Sequence, residues 1–106
     1  MTSRLAALEL AAALLLVGPG AAVAAPTPVR ISGLKAKPLI VRVTVGTAIR
    51  WRNRDAASHT VTFVKGKSSE VLRTGDTFRR TFKRTGKFTY LCKFHPGMTG
   101  TVRVTP

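Results

Sequence analysis

The sequence predicts an all-β domain built of short strands, a sandwich or a barrel, on two observations. First, apolar and polar residues alternate through several short segments, and this period of two is typical of strands that bury one face. Second, turn-forming stretches separate these segments at short intervals: Gly46, the TGD sequence at 74–76 and the RTGK sequence at 84–87. The chain after residue 24 shows no convincing helical period.

Residues 1–24 are predicted to be a secretory signal peptide. Arg4 supplies a positive charge, residues 5–17 are apolar apart from Glu9, and an Ala-Val-Ala cleavage sequence ends the segment. We therefore expect a single domain over residues 25–106, in a periplasmic or secreted location. Because Glu9 is unusual in such an apolar run, an uncleaved anchor is the alternative.

The charge and the cysteine count narrow the classes of function. The chain has 18 Lys and Arg against 4 Asp and Glu, a formal net charge of +14, and one cysteine. The leader contains one residue of each sign, so the positive excess belongs to the domain and bears on its partners. A small exported domain buries a thin core, and one cysteine forms no internal disulfide. Either a metal is the stabilising element, or the single thiol needs another explanation.

The segment IRWRNR at 49–54 is the clearest predicted strand. Ile49, Trp51 and Asn53 fall on one face and are expected to be buried. The residues between and after them form a basic outer stripe of Arg50, Arg52 and Arg54. A solvated face is the usual interpretation of such a stripe, and a binding surface for anionic lipid or nucleic acid is the alternative.

Further segments follow the same period. The faces expected to be buried carry Val41, Val43 and Val45, then His59, Val61 and Phe63, then Phe88, Tyr90 and Cys92, and last Val102 and Val104. One segment departs from the pattern, because Phe78 and Phe82 share their face with Arg80. Either a β-bulge or an arginine with a buried stem and a solvated head would resolve this conflict.

A second pattern concerns metal chemistry. The loop sequence YLCKFHPGMTG contains Cys92, His95 and Met98, and His59 lies on the inner side of a remote strand. A thiolate, two imidazoles and a weak thioether are the donors of blue-copper electron-transfer sites. Taken singly, each is ordinarily a core residue. Taken together they favour copper over zinc, which rarely binds a thioether, and over a Cys/His nucleophile, for which no orienting third group is evident.

The chain resembles the cupredoxin family, the blue type 1 copper proteins. The resemblance rests on VGTAIRWRNRDAASHTVTF followed by FKRTGKFTYLCKFHPGMTGTVRV, and the Cys-x-x-His-Pro-x-Met loop is most similar to the short loop of the amicyanins. It covers about residues 29–104. It implies a Greek-key β-sandwich that binds one type 1 copper ion near one end, with the metal ligands His59, Cys92, His95 and Met98.

The resemblance also implies a role for each ligand. Cys92 would form the short covalent bond, Met98 would be the weak axial ligand, and His95 would expose one imidazole edge as the electron port. Two positions depart from the family pattern. Thr60 follows the first histidine where these proteins commonly have asparagine, and Gly97 replaces a bulkier residue of the amicyanins.

The predicted function is that of a small exported one-electron carrier, a monomer and not an enzyme. Its high positive charge predicts a transient complex with an acidic redox protein, with no specific nucleic-acid binding and no stable membrane insertion after cleavage. Two alternatives are open: a copper-binding or copper-delivery protein, and a basic binder of anionic surfaces in which copper serves only for stability.

Overall fold

A computed structural model describes residues 24–106 as a two-sheet β-sandwich. The strands are β1 (Thr27–Ser32), β2 (Lys35–Lys37), β3 (Ile40–Thr44), β4 (Ala48–Asn53), β5 (Thr62–Phe63), β6 (Thr77–Thr81), β7 (Gly86–Leu91) and β8 (Thr99–Thr105). The all-β class is confirmed, and the described residues contain no helix long and apolar enough to cross a membrane. The predicted signal peptide falls almost entirely outside the described residues.

The two sheets have different strand orders. One sheet has the order β2-β1-β4-β6 and the other β3-β8-β7-β5. Strands β1 and β4 pair in parallel, as do β3 and β8, so neighbours in sequence often lie in opposite sheets. Gly46, with φ 92°, reverses the chain between β3 and β4, and its N–H donates to the carbonyl of Phe82. Residues that were predicted to alternate therefore fill one core between the sheets.

Trp51 is the centre of that core and is fully buried. Its ring lies 5.5 Å from Phe78, 5.7 Å from Phe63 and 5.6 Å from Tyr90, measured between centroids. The last two contacts are edge-to-face, a favoured geometry for aromatic pairs. Because Trp51 comes from one sheet and Tyr90 from the other, this cluster joins the two sheets.

Most of the predicted strand faces agree with the structure. In β4 the buried positions are Ile49, Trp51 and Asn53, while Arg50 and Arg52 are exposed. The prediction for Val45 is wrong: 43% of its surface is exposed. Strand β3 ends at Thr44, and the turn into β4 begins there, so the alternation of the strand no longer decides where the side chain of Val45 points.

Arg80 has a buried stem and a charged head at the rim of the core, which is the second of the two arrangements that the sequence allowed; the first was a β-bulge. The pairing of β6 with β4 is continuous, with Ile49 opposite Arg80, so β6 contains no bulge. The guanidinium carbon lies 4.4 Å from the Phe63 ring centroid and 4.7 Å from that of Phe82. Nη1 donates to the backbone carbonyls of Lys65 and Lys67. The charge therefore reaches the rim of the core, where aromatic faces and carbonyl groups accept it.

Candidate metal centre

Asn53 organises the loop that leads to His59. Its buried side chain donates through Nδ2 to the carbonyls of Ala57 and Leu72, at 2.8 and 2.9 Å. Its Oδ1 accepts the backbone N–H of Asp55, which is the local bond of an Asx-turn. Because Asn53 lies on the buried face of β4, its side-chain amide can fix the loop that follows. This loop places His59 at the end of the sandwich.

His59 is fully buried and is held on both sides. Its backbone exchanges two hydrogen bonds with Leu72, at 3.0 and 2.7 Å, in an isolated bridge. Its ring Nε2 lies 2.8 Å from Oδ2 of Asp55, while Nδ1 faces the thiol of Cys92 at 3.6 Å. The carboxylate therefore leaves Nδ1 as the nitrogen that is available to a metal.

Asp55 connects the candidate ligand His59 to the turn between β1 and β2. Its two carboxylate oxygens accept the backbone N–H groups of Gly33 and Leu34, at 2.7 and 2.9 Å. Both turn residues have positive φ, 61° and 59°, as a tight two-residue hairpin requires. Burial alone raises the pKa of Asp55, but the N–H of Leu34, His59 and the N–H of Gly33 lower it below its usual value.

The loop from Cys92 to Met98 closes on itself directly after β7. The N–H of Cys92 donates to the carbonyl of Met98, and the N–H of Met98 donates to the carbonyl of His95, both at 3.0 Å. Gly97 has φ 85°, a conformation that side chains rarely adopt. The departure of Gly97 from the amicyanin pattern therefore has a backbone reason in this chain. Met98 is 9% exposed, so the loop buries it.

Cys92, His59 and His95 converge at one point. Sγ of Cys92 lies 3.6 Å from Nδ1 of His59 and 3.5 Å from Nδ1 of His95, and the donor atoms of all three lie within 4.8 Å of one another. Typical metal bonds of about 2.3 Å to sulfur and about 2.0 Å to nitrogen, with nearly trigonal angles, separate such donors by roughly 3.5 to 3.7 Å. The two sulfur–nitrogen distances therefore match those expected for a single bound ion.

Thr60 ties the loop of His59 to the loop of Cys92. Its backbone N–H donates to Sγ of Cys92 at 3.4 Å, and its Oγ1 accepts the N–H of Lys93 at 2.9 Å. A second hydroxyl, that of Thr62, donates to the same Oγ1 at 3.0 Å. The hydroxyl thus supplies an inter-loop bond although Thr60 departs from the asparagine of the family pattern.

The hydroxyl of Thr60 is expected to stabilise the metal loop. Thr60→Val keeps the shape but leaves the N–H of Lys93 without its acceptor, which should lower the free energy of unfolding by about 1 to 3 kcal/mol. Chemical denaturation of the metal-free protein measures the loss, and Thr60→Ser, which keeps the hydroxyl, is the matched control. Equal stability of the Val and Ser variants would contradict this role.

The environment of Cys92 favours its thiolate. Burial raises the pKa of the thiol, but the N–H of Thr60, His95, His59 and the N–H of Phe94 outweigh burial and lower the pKa to about 6. A deprotonated sulfur is the form that binds metal. The metal-free site is therefore prepared for a cation at neutral pH.

The thiol of Cys92 in the metal-free protein should titrate near pH 6. Because the folded pKa of about 6 lies below the ordinary value of 9.0, the free energy of unfolding should rise from pH 6 to pH 9. This contribution is lost as the pH falls through 6. Ultraviolet thiolate absorption and denaturation at several pH values measure the two effects, and Cys92→Ser is the control that should lack both. A midpoint near the ordinary cysteine value would contradict the prediction.

The loop from Cys92 to Met98 also shapes the surface near the cluster. His95 is half-buried, and its neighbour Phe94 is 51% exposed. A depression of about 370 Å³ lies beside Met98 and is lined in addition by Leu34, Lys35, Ala36, Lys37, Leu39, Gly97 and Thr99. The surface at this end of the sandwich thus combines apolar side chains with exposed lysines.

Two supporting residues were not predicted from the sequence. Asp55 was assigned only to a loop, and Asn53 only to a buried strand position. Two features of the sequence could have identified them: Asn53 falls on the buried face of its strand, and Asp55 lies four residues before His59. Hydrogen-bond partners such as Gly33 and Leu34 lie more than 20 positions away in sequence, so local patterns do not identify them.

The fold and the cluster define a class of protein. The family model for a cupredoxin-like domain matches residues 6–104, and the chain belongs to this family. The chain is 35% identical to amicyanin-alpha of Methylorubrum extorquens, across 76% of this chain and 73% of the relative. It is 34% identical to amicyanin of Paracoccus denitrificans, across 72% of this chain and 63% of the relative.

Solved structures agree with this assignment. A reduced proline-to-phenylalanine variant of amicyanin superimposes with a TM-score of 0.70 at 33% identity, over 79% of this chain and 87% of the other. A copper-containing nitrite reductase of Thermus scotoductus gives a TM-score of 0.75 at 26% identity, but this chain spans 23% of that enzyme. The cofactor of this chain is one type 1 copper ion, and the cluster described above could hold it.

Proposed function

We propose that the protein is an exported one-electron carrier whose copper is held by His59, Cys92, His95 and Met98. The observation that carries the proposal is the convergence of two imidazole nitrogens on one buried sulfur, at 3.5 and 3.6 Å. Met98 belongs to the same set because its loop closes on Cys92 through a backbone bond and buries its side chain.

The surroundings of the cluster suit electron transfer. Bound copper supplies a one-electron couple between Cu(II) and Cu(I). Cys92 provides an anionic sulfur, Asp55 fixes the ring of His59, and Thr60 fixes the loop that carries Cys92. Because these groups are held from both sheets, the site changes little between the two oxidation states, and little reorganisation opposes transfer. The half-buried His95 is the ligand closest to solvent and is the proposed electron port.

A carrier is favoured over an enzyme. Two histidines, a cysteine and a methionine fill the coordination of a blue-copper ion, whereas a catalytic metal keeps an open position for substrate. The structural similarity to the nitrite reductase covers 23% of the chain of that enzyme. The domain alone therefore supports the transfer step and not the reduction of a substrate.

The leader sequence and the charge support export and the kind of partner. The leader has the pattern of a secretory signal, so we infer a periplasmic or secreted location. A monomer remains the proposed state. The net charge of +14 favours an acidic redox protein, bound through a small transient interface in which charge increases the association rate.

Visible spectroscopy tests the carrier function. The protein loaded with Cu(II) should absorb strongly in the visible range, bleach on reduction and recover on oxidation over many cycles. Rapid redox exchange with slow loss of copper to a chelator supports a carrier. Slow exchange with ready loss of copper to an acceptor would overturn the proposal in favour of copper delivery.

A further inference from the structure

We propose that the outer face of the β2-β1-β4-β6 sheet docks on an anionic phospholipid bilayer. We call this surface the basic sheet face. It is made of Arg30, Lys35, Lys37, Arg50, Arg52, Arg54 and Arg79, all exposed. The inference goes beyond electron transfer, because it gives the protein a second surface, which reaches the depression beside Met98 only at Lys35 and Lys37.

Strand pairing brings these cations together. Arg30 pairs directly with Lys37 on one side and with Arg52 on the other, and Arg50 pairs with Arg79. Like charges directly opposite one another in a sheet are destabilising. External anions that neutralise the face would relieve this repulsion, so the arrangement favours binding to a surface of negative charge.

No carboxylate of the sheet neutralises the basic sheet face. Strands β1, β2, β4 and β6 contain no Asp or Glu. Within residues 24–106 the ion pair between His59 and Asp55 stands alone, so none of the seven cations is paired. Between the strands lies a shallow groove of about 320 Å³, lined by Pro28, Val29, Arg30, Lys37, Arg50, Arg52 and Arg54.

The shape and chemistry of the face favour lipid headgroups over a protein partner. Stable protein interfaces need buried aromatic or aliphatic anchors. The exposed residues of this face are basic, apart from small or polar ones such as Pro28, Thr77 and Thr81. An anionic bilayer instead offers a flat array of phosphates, and each Lys or Arg near it adds a modest attraction that sums over the cluster. The cations also lie in a two-dimensional grid over four strands, which matches a surface better than a single groove of nucleic acid.

The predicted leader joins the domain close to this face. The apolar leader ends just before β1, whose residues Pro28 and Arg30 line the groove. The segment that is predicted to engage the membrane during export is thus separated by a few residues from β1, a strand of the basic sheet face. The loop with Cys92 and His95 follows β7 of the other sheet, so docking through this face leaves the proposed electron port uncovered.

Vesicle co-sedimentation tests the proposal with the protein recovered after expression with its own leader. The probes are phosphatidylcholine vesicles with and without phosphatidylglycerol. We expect binding to the anionic vesicles alone, weakened by salt, and a drop of about tenfold or more in the apparent partition coefficient for the triple variant Arg50→Glu, Arg52→Glu and Arg79→Glu. If this variant does not fold, the corresponding triple change to Gln should show a smaller loss in the same direction.

A matched control has the same change of charge on the opposite sheet. Arg42, Lys87 and Arg103 are exposed on the outer face of the other sheet, and Arg103 pairs with both of the others. Their triple change to Glu should leave most of the vesicle binding intact. Equal loss in both triple variants would overturn the proposal, since net charge alone would then explain binding. Equal binding to zwitterionic vesicles, or tighter binding to duplex DNA than to anionic vesicles, would also overturn it. Because this readout needs no copper, it is independent of the proposed electron transfer.

Discussion

Cys92→Ser is expected to abolish the intense visible absorption of the copper-loaded protein and to leave the all-β fold in place. The absorption depends on charge transfer from a thiolate to copper, and a hydroxyl does not supply it. The fold should survive because serine is close in size to cysteine and its oxygen can accept the N–H that Thr60 now donates to sulfur. The change therefore removes the chemistry of the site and little of its packing.

Spectra of the variant and of two controls measure this effect. Circular dichroism of the metal-free Cys92→Ser variant should match the parent, while its copper-loaded spectrum should lack the strong visible band. Met98→Leu is the control within the site, because removing the proposed weak axial donor should keep the colour and raise the reduction potential. A strong visible band in the Cys92→Ser variant would contradict the assignment of the copper thiolate.

The strand faces were predictable because burial repeats with the local period of the chain. Ile49, Trp51 and Asn53 follow that period, as do Phe63 and Tyr90, and the sequence carries this information over a few residues. Val45 was mispredicted because the turn into β4 begins after Thr44 and ends the period. Local patterns thus predicted which side chains of a strand are buried, as far as the end of that strand.

The metal cluster was predictable for a chemical reason. Few residue types bind copper, and this chain offers one cysteine and two histidines. The three donor atoms do converge, whereas the axial role of Met98 stays a prediction. The residues that hold the cluster in place were not predictable from local patterns. The hydrogen bonds of Asp55 to the β1–β2 turn and of Thr60 to the Cys92 loop join residues more than 20 positions apart. Such contacts depend on the packing of the two sheets.

The second large effect concerns the charge around the proposed electron port. We expect the rate of electron transfer to a small anionic oxidant to fall by roughly tenfold between low and physiological salt, because opposite charges steer encounters only within a Debye length of about 8 Å at physiological salt. With a cationic oxidant of similar potential the rate should rise with salt. The relevant charge at the port is Lys93, which is exposed on the loop that carries Cys92 and His95.

Stopped-flow measurements on two single charge reversals localise the steering. Lys83 is the matched control, because it follows β6 near Ala48, the end of β4 opposite to Asn53 and the metal loop. Lys93→Glu should slow transfer to the anionic oxidant at low salt far more than Lys83→Glu, and the two variants should converge at high salt, where screening removes both effects. Equal slowing would show that net charge acts without a local docking site, and rates indifferent to salt and to both changes would remove charge from the choice of partner. A larger effect at Lys93 would instead locate the steering charge at the loop of His95, which is where the proposal of an acidic partner requires it.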